Sequence, residues 1–195
     1  MLRVGITGGM GSGKTTVARL FQLLGIPVYF ADDEAKNLMN HDPDLKHAII
    51  AVFGEEAYNV HGLNRAYISS LAFSEPEKLT ALNAIVHPAV IAHGEKWMLR
   101  QSAPYVLKEA ALLFESGSNK QLDFVIGVWC SSELRIDRVM GRDGSSREAI
   151  LARMQKQMDE EEKMKLCDFI ITNDEKTAII PQVLSLHGQL LTQNI

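Results

Sequence analysis

Residues 2–16 read Leu2-Arg3-Val4-Gly5-Ile6-Thr7-Gly8-Gly9-Met10-Gly11-Ser12-Gly13-Lys14-Thr15-Thr16, and this stretch decides the fold. Its second half fits G-x-x-x-x-G-K-[ST], the phosphate-binding P-loop. Apolar residues alternate with small or polar ones over 2–7, which predicts a strand, and recur at helical spacing over 17–24. Strand, glycine-rich turn and helix form the setting that a P-loop requires. We therefore predict that the chain binds a nucleoside triphosphate.

Each residue type in the P-loop suits phosphate binding. Its glycines let the backbone turn tightly, so that successive N–H groups point at the phosphates, and the following helix adds its positive end. Lys14 is expected to reach the β- and γ-phosphates, and the Thr15 hydroxyl to ligate Mg²⁺. The alternative is a glycine-rich turn beside an exposed lysine. We expect ATP and Mg²⁺ to be bound by Gly8, Gly9, Met10, Gly11, Ser12, Gly13, Lys14, Thr15 and Thr16.

The composition is that of a globular protein. A chain of 195 residues is enough for one large domain or for a core with an inserted subdomain. The hydrophobic content of 46% is ample for a core, and the net charge of −4 does not favour nucleic acid as a partner. No apolar run is long enough to cross a membrane, and the first strand leaves no room for a signal peptide, so a cytoplasmic location is expected. Cys130 and Cys167 form no C-x-x-C motif and are expected to be small core residues.

Carboxylates follow the second predicted strand. Residues 28–30 form this strand, and Asp32 and Asp33 come soon after it. Ligands of open α/β sheets bind at the carboxyl ends of the strands, so a carboxylate here is well placed to act as a base. The alternative is that Asp32 or Asp33 caps a helix that begins near Glu34. Both interpretations can hold together.

Helical patterns dominate residues 36–101, with little strand signal. So many helical residues between two strands exceed an ordinary βαβ crossover, which predicts a substrate-binding subdomain inserted over 31–103. The nucleotide-binding core then comprises 1–30 and 104–195. Pro88 is expected to break or kink its helix. The preceding His87 is either functional or, as lone histidines more often are, structural.

Three further apolar runs predict core strands, at 105–107, 124–129 and 169–171. Continuous apolar runs are typical of parallel strands that are buried on both faces, so the expected fold class is α/β with a parallel sheet. Glu109 and Glu115 follow the first run. Either one of these glutamates lies near the site, where it acts through a water molecule or the metal ion, or both are solvated. Asn173 lies just past the last run, where it is placed to meet an adenine base.

A basic helix is predicted to begin a lid over about 131–165. Arg135, Arg138 and Arg142 are spaced i, i+3 and i+7, which puts three guanidinium groups on one helical face. In a phosphotransferase, such a helix brings arginines over the γ-phosphate and excludes water. The alternative is an amphipathic helix with a solvated basic face.

Two local patterns follow this helix. Ser145 and Glu148 fit a capping box for the next helix. The acidic run over 159–162 is interpreted as a solvated helical turn.

In their order along the chain, these motifs resemble those of the dephospho-CoA kinase family. The resemblance covers nearly the whole chain. Its most specific part is the combination of a His-Pro segment, a Leu-Leu-Phe-Glu segment and the arginine lid. The matching motifs are 7–16, Ala31-Asp32, 62–65, 82–88, 112–115, 138–143 and 168–173.

The resemblance implies ATP-dependent phosphorylation of the ribose 3′-hydroxyl group of dephospho-CoA, which is the last step of coenzyme A synthesis. It implies a three-layer α/β/α P-loop fold like that of nucleoside monophosphate kinases, with a helical acceptor-binding insert and a helical lid. Asp32 is then the catalytic base, although the family's Asp-Ala-Asp motif reads Phe30-Ala31-Asp32 here. Lys14, Arg138 and Arg142 complete the expected catalytic group.

The same resemblance assigns the acceptor site. Gln157 matches a lid residue, and Asn173 matches a residue on the nucleotide side. The residues expected to contact dephospho-CoA are Asp32, Arg65, His87, Leu112 and Phe114.

Two other functions compete with this interpretation. Another P-loop kinase, acting on a nucleotide or a small alcohol, would share everything except the insert. A nucleotide-dependent switch such as a GTPase is disfavoured because no N-K-x-D signature is present. Either a monomer or a small homo-oligomer such as a trimer is compatible with the length and charge.

Overall fold

The computed structural model describes residues 1–193 and divides into two compact units. The first, the nucleotide-binding unit, contains residues 1–30 and the described residues from 98 onward. The second, the helical unit, is Ala31–Trp97. The predicted insert extended to residue 103, whereas the helical unit ends at Trp97.

The secondary structure alternates between strands and helices in the first unit and is mainly helical in the second. The strands are β1 (Leu2–Thr7), β2 (Val28–Phe30), β3 (Tyr58–Asn59), β4 (Gly62–Leu63), β5 (Tyr105–Glu109), β6 (Phe124–Trp129) and β7 (Phe169–Thr172). The α-helices are α1 (Lys14–Leu23), α2 (Ala31–His41), α3 (Pro43–Phe53), α4 (Arg65–Ser74), α5 (Pro76–Met98), α6 (Ser132–Asp143), α7 (Arg147–Met154), α8 (Glu160–Lys165) and α9 (Ile179–Thr192).

The nucleotide-binding unit is built on a five-stranded sheet with the order β2-β5-β1-β6-β7. All its pairings are parallel, as the apolar runs predicted. Ile6 of β1 lies opposite Glu109 of β5 and Ile126 of β6. Strands β2, β5 and β1 therefore end within about one residue of each other, and β6 and β7 extend about two residues further. Strand β1 leads into the P-loop at this carboxyl edge.

Helices and loops cover both faces of this sheet. On one face, Val17 and Phe21 of α1 pack with Val183 and Leu186 of α9 in the main apolar core. Because side chains alternate along a strand, Gly127 belongs to the other face, and there it lies against Met164 of α8. The sheet therefore forms the middle layer of an α/β/α arrangement. Burial of these side chains is the main favourable term that holds the layers together.

The two cysteines lie in this unit and are free thiols. Cys130 is buried at 1% exposure, as expected for a small core residue, and Cys167 is half-buried. Burial raises the pKa of both thiols above the usual value, and that of Cys167 reaches about 12. Both are therefore protonated at neutral pH.

The helical unit differs from the local predictions in three places. Helix α2 begins at Ala31, so Asp32 and Asp33 lie in its first turn and do not cap a helix near Glu34. After α3, strands β3 and β4 form an antiparallel hairpin that sequence patterns missed. Pro88 does not break α5, which continues to Met98.

Of the described helices, none combines the length and the apolar character that a membrane crossing requires.

Candidate active site

The P-loop joins β1 to α1 by a tight turn. The N–H of Ser12 donates to the carbonyl of Gly9 at 3.1 Å, and Gly13 caps α1 in the left-handed region with φ 90°. Helix α1 begins at Lys14. The N–H groups of the first turn of a helix have no partner within the helix, so they are available to an anion.

A cavity of about 340 Å³ opens in front of this helix end. It brings together the predicted phosphate-binding residues and the two predicted catalytic arginines, and it adds Arg19, which the sequence analysis did not single out. Its lining is Gly11, Gly13, Lys14, Thr15, Thr16, Arg19, Arg138, Val139 and Arg142. Four cationic side chains around one cavity suit a polyphosphate.

Lys14 is held at this cavity by a carboxylate from the neighbouring strand. Its Nζ lies 3.6 Å from Oε1 of Glu109, and both side chains are largely buried. Of the two glutamates that sequence analysis left open, Glu109 is therefore the one beside the P-loop. Glu115 points elsewhere: its Oε1 lies 2.9 Å from Nζ of the fully buried Lys163.

Arg138 connects the P-loop to the loop after β7. Its guanidinium donates to the carbonyl of Asn173 at 3.1 Å and to Glu175 at 3.1 and 3.2 Å, and its Nη1 lies 3.5 Å from the carbonyl of Gly11. Arg142, one turn later, pairs with the adjacent Asp143 and is more exposed. Both arginines face the cavity, so the basic-helix prediction placed them together correctly.

Arg135 does not share this face. It is buried at 8% exposure, and its Nη1 lies 3.1 Å from Oε2 of Glu160. The prediction of three arginines over the γ-phosphate is therefore wrong for Arg135. Since i and i+3 positions are about 60° apart on a helix, a modest rotation of α6 separates Arg135 from Arg138.

Asn173 contacts the P-loop backbone. Its side-chain amide donates to the carbonyl of Ser12 at 2.7 Å, and the residue is buried. A Cβ atom on Gly13 would come within 2.2 Å of Nδ2 of Asn173, so only glycine fits there.

The predicted contact of Asn173 with adenine stays a prediction. A second cavity, of about 880 Å³, is lined by Asn173, Thr16, Leu20 and residues 175–181, and has room for a nucleoside.

Residues 157–163 form a segment that sequence analysis undervalued. Gln157 accepts a hydrogen bond from the N–H of Met10 at 3.1 Å, and Glu160 accepts one from the N–H of Gly9 at 3.2 Å. The interpretation of 159–162 as a solvated turn is therefore wrong for Glu160, which is only 9% exposed. Its i, i+4 spacing from the apolar Met164 is the signal that would have placed it on the buried face.

Two residues of this segment, Met158 and Lys163, hydrogen-bond to the turn after β5. Nζ of Lys163 donates to the carbonyl of Ala111 at 2.9 Å, and the N–H of Met158 donates to Glu115 at 2.9 Å. Burial alone would raise the pKa of Glu115, but the hydrogen bonds from Met158 and Lys163 outweigh burial and hold this pKa below its usual value. Leu112 and Phe114, both assigned to the acceptor, lie half-buried in the same turn.

The helix after α6 is capped one residue later than predicted. The hydroxyl of Ser146, and not that of Ser145, accepts the N–H of Ala149 at 3.3 Å. The cap is therefore present in the predicted turn, with α7 beginning at Arg147.

The remaining candidate residues lie in the helical unit. Asp32 and Arg65 are exposed, in the first turn of α2 and at the start of α4. His87 is half-buried on α5, and burial lowers its pKa, so its ring is neutral at neutral pH.

Within residues 1–193, no group of three or more His, Cys, Asp or Glu side chains is arranged to hold a metal ion. This is compatible with Mg²⁺ bound mainly through phosphates, water and one or two protein oxygens, which is how nucleotide-bound Mg²⁺ is usually held.

Comparison with known proteins identifies relatives over nearly the full length. A family model described as dephospho-CoA kinase matches residues 2–178. The dephospho-CoA kinase of Bacteroides fragilis is 35% identical over 95% of this chain and 91% of its own length. That of Chlorobium chlorochromatii is 38% identical over 98% of this chain and 95% of its own length. The solved structure of dephospho-CoA kinase from Campylobacter jejuni superposes with a TM-score of 0.71 at 28% identity, covering 99% of this chain and 98% of that one.

Proposed function

The chain belongs to the dephospho-CoA kinase family, and we propose that it transfers the γ-phosphoryl group of ATP to the ribose 3′-hydroxyl group of dephospho-CoA. The products are ADP and coenzyme A, so the enzyme acts in coenzyme A biosynthesis. The family match over residues 2–178 carries this conclusion. The cationic cavity at the P-loop supports it, because phosphoryl transfer depends mainly on positioning and charge stabilisation.

The P-loop holds the phosphates of ATP. The N–H groups at the start of α1 and Nζ of Lys14 bind the β- and γ-phosphates. Arg138 and Arg142 contact the transferring group and stabilise the charge that develops in the transition state. The preformed contacts of Arg138 support this role, since they hold its guanidinium at the cavity before ATP arrives.

The available donors fit a Mg²⁺ ion. Thr15 lines the cavity and would supply a hydroxyl ligand, and Glu109, whose Oε1 lies 3.6 Å from Nζ of the cavity-lining Lys14, would supply a carboxylate oxygen. Mg²⁺ prefers such oxygen donors. When bound, it neutralises charge between the β- and γ-phosphates. Lys14 then shares its charge between Glu109 and the phosphates.

Asp32 acts as the general base. It follows β2 by two residues, and its exposed carboxylate is free to accept the proton of the attacking 3′-hydroxyl group. A base within hydrogen-bond reach of the hydroxyl also orients it for in-line attack.

The acceptor is bound by Arg65, His87, Leu112 and Phe114. Arg65 offers a guanidinium fork, which suits the phosphates of dephospho-CoA. Because the ring of His87 is neutral at neutral pH, it contributes a hydrogen bond and not a charge. Leu112 and Phe114 present apolar surface to the pantetheine arm.

The deciding measurement is ADP release from ATP and Mg²⁺ with dephospho-CoA, with nucleoside monophosphates, and with no acceptor. Turnover with dephospho-CoA alone, and coenzyme A as the product, is expected. Turnover with a different acceptor would keep the kinase mechanism and reject the acceptor assignment. Tight nucleotide binding without transfer to any acceptor would point to a switch protein.

A further inference from the structure

Glu160, a residue outside the P-loop, hydrogen-bonds to the first half of the loop. Glu160 Oε1 accepts the N–H of Gly9, while the carbonyl of Gly9 accepts the N–H of Ser12. The peptide groups on both sides of Gly9 are thus hydrogen-bonded. The N–H of Gly9 is therefore already bonded within the protein, to Glu160.

The contact is buried and closely fitted. Glu160 and Arg135 form an ion pair at 3.1 Å with side chains only 9% and 10% exposed. A Cβ atom on Gly9 would lie 1.9 Å from Nη1 of Arg135 and 2.4 Å from Oε2 of Glu160. The backbone of Arg135 lies equally close to Gly11, where a Cβ atom would meet its carbonyl oxygen at 2.5 Å. The ion pair therefore shapes the turn by direct contact.

Glu160 itself is rigidly placed. Helix α8 is capped by Asp159, whose side chain accepts the N–H groups of Glu161 and Glu162. One turn further on, Lys163 is fully buried and bonded to the turn after β5. A side chain on such a support can hold the P-loop in one geometry.

We propose that Glu160 is a positioning residue for ATP: its carboxylate oxygen holds the N–H of Gly9, and this contact preorganises the P-loop for the phosphates. The ion pair with Arg135 orients the carboxylate and compensates its charge in the buried site. The inference depends on nucleotide binding at the P-loop but not on the identity of the acceptor.

Two double variants separate the hydrogen bond from the ion pair. Arg135→Met/Glu160→Gln removes both charges and keeps a carbonyl oxygen for Gly9, whereas Arg135→Met/Glu160→Ala removes this acceptor as well. Neither leaves an unpaired buried charge, which would be strongly destabilising on its own. Urea unfolding of both variants checks that each is folded.

The measurement is the dissociation constant of ADP by calorimetry. We expect ADP to bind about tenfold more weakly to the Ala double variant than to the Gln double variant, because a buried N–H group without an acceptor is costly. The ratio kcat/KM for ATP should fall by a similar factor, with the KM for dephospho-CoA unchanged. Glu161→Ala, an exposed neighbour on α8, is the control and should match the wild type.

Equal ADP affinity in the two double variants, within about twofold, would overturn the proposal. Glu160 would then serve only as the partner of Arg135. This outcome is distinguishable from failure of the proposed function, because ADP affinity is measured without any acceptor.

Discussion

In the nucleotide-binding unit, the side chains of Asn173, Gln157 and Glu160 converge on the P-loop and hydrogen-bond to its backbone. In the helical unit, the candidate residues Asp32 and Arg65 are exposed at the starts of two helices. The first arrangement is held by these hydrogen bonds, so changes there should disturb both the fold and nucleotide affinity. The second can be altered at little cost to the fold, so changes there should affect only the chemistry or the acceptor.

The strongest test of this contrast is Asp32→Asn. Loss of the base should lower kcat by about 10²- to 10⁴-fold, while ATP affinity and thermal stability stay near wild type. Steady-state kinetics and calorimetry check both parts. Asp33→Asn is the matched control, since the side chain of Asp33 is already paired with Lys36 at 2.6 Å. A kcat near the wild-type value would reject Asp32 as the base.

The counterpart in the nucleotide-binding unit is Arg138→Met. We expect kcat to fall by about 10²-fold, and thermal stability to fall as well, because Arg138 links Asn173 and Glu175 to the P-loop. Arg142→Met removes a more exposed charge paired with Asp143, so it should lower kcat by about tenfold without loss of stability. If both variants kept wild-type stability, the contrast between the two units would weaken.

A smaller effect is expected for Arg65→Ala. The KM for dephospho-CoA should rise about tenfold, since a charge-assisted hydrogen bond is lost, whereas the KM for ATP should not change. Arg100→Ala, at an exposed position of the nucleotide-binding unit, controls for loss of surface charge. A rise in the KM for ATP instead would place Arg65 on the nucleotide side.

The smallest effect concerns acid stability. In the folded state the pKa of Glu115 lies below its ordinary value of 4.5, so the stabilising contribution of the ionised carboxylate is present above pH 4.5 and is lost as the pH falls through the lowered pKa. Glu115→Gln should therefore be less stable than the wild type near neutral pH, and the difference should shrink below pH 4.5. Urea unfolding across this range measures it, with Glu161→Gln as the control. A difference that does not depend on pH would exclude the ionised carboxylate as its source.

Local patterns predicted much of the fold. The P-loop, the strands of the parallel sheet and helix α1 all follow from the periodicity of apolar residues. These signals are local, because a strand or an amphipathic helix repeats its pattern within a few residues. Pro88 was expected to break or kink its helix, and of these two effects the break is absent, since α5 continues through Pro88 to Met98.

The assembly of the site was only partly predictable. Sheet geometry made Glu109 and Asn173 candidates for the site, because both follow strands whose carboxyl ends meet at one edge, but it did not decide whether Glu109, Glu115 or neither glutamate lies there. By contrast, Arg135 and Arg138 are the same residue type on the same helix, and the sequence did not reveal that one is buried and the other faces the cavity. Which face of α6 is buried depends on what packs against it.

Local sequence patterns were enough to predict a P-loop and the parallel sheet that carries it, and the order of the motifs was enough to indicate the family. The packing of the layers was needed to see that Glu160 and Lys163, within or beside a run of charged residues, are buried. It also showed that side chains distant in the chain lie close to Gly9 and Gly13. This difference arises because secondary structure depends on residues that are only a few positions apart in the chain. The burial of a charge depends on a partner such as Arg135, which lies 25 residues from Glu160 in sequence, and that partner is brought within reach only when the layers pack.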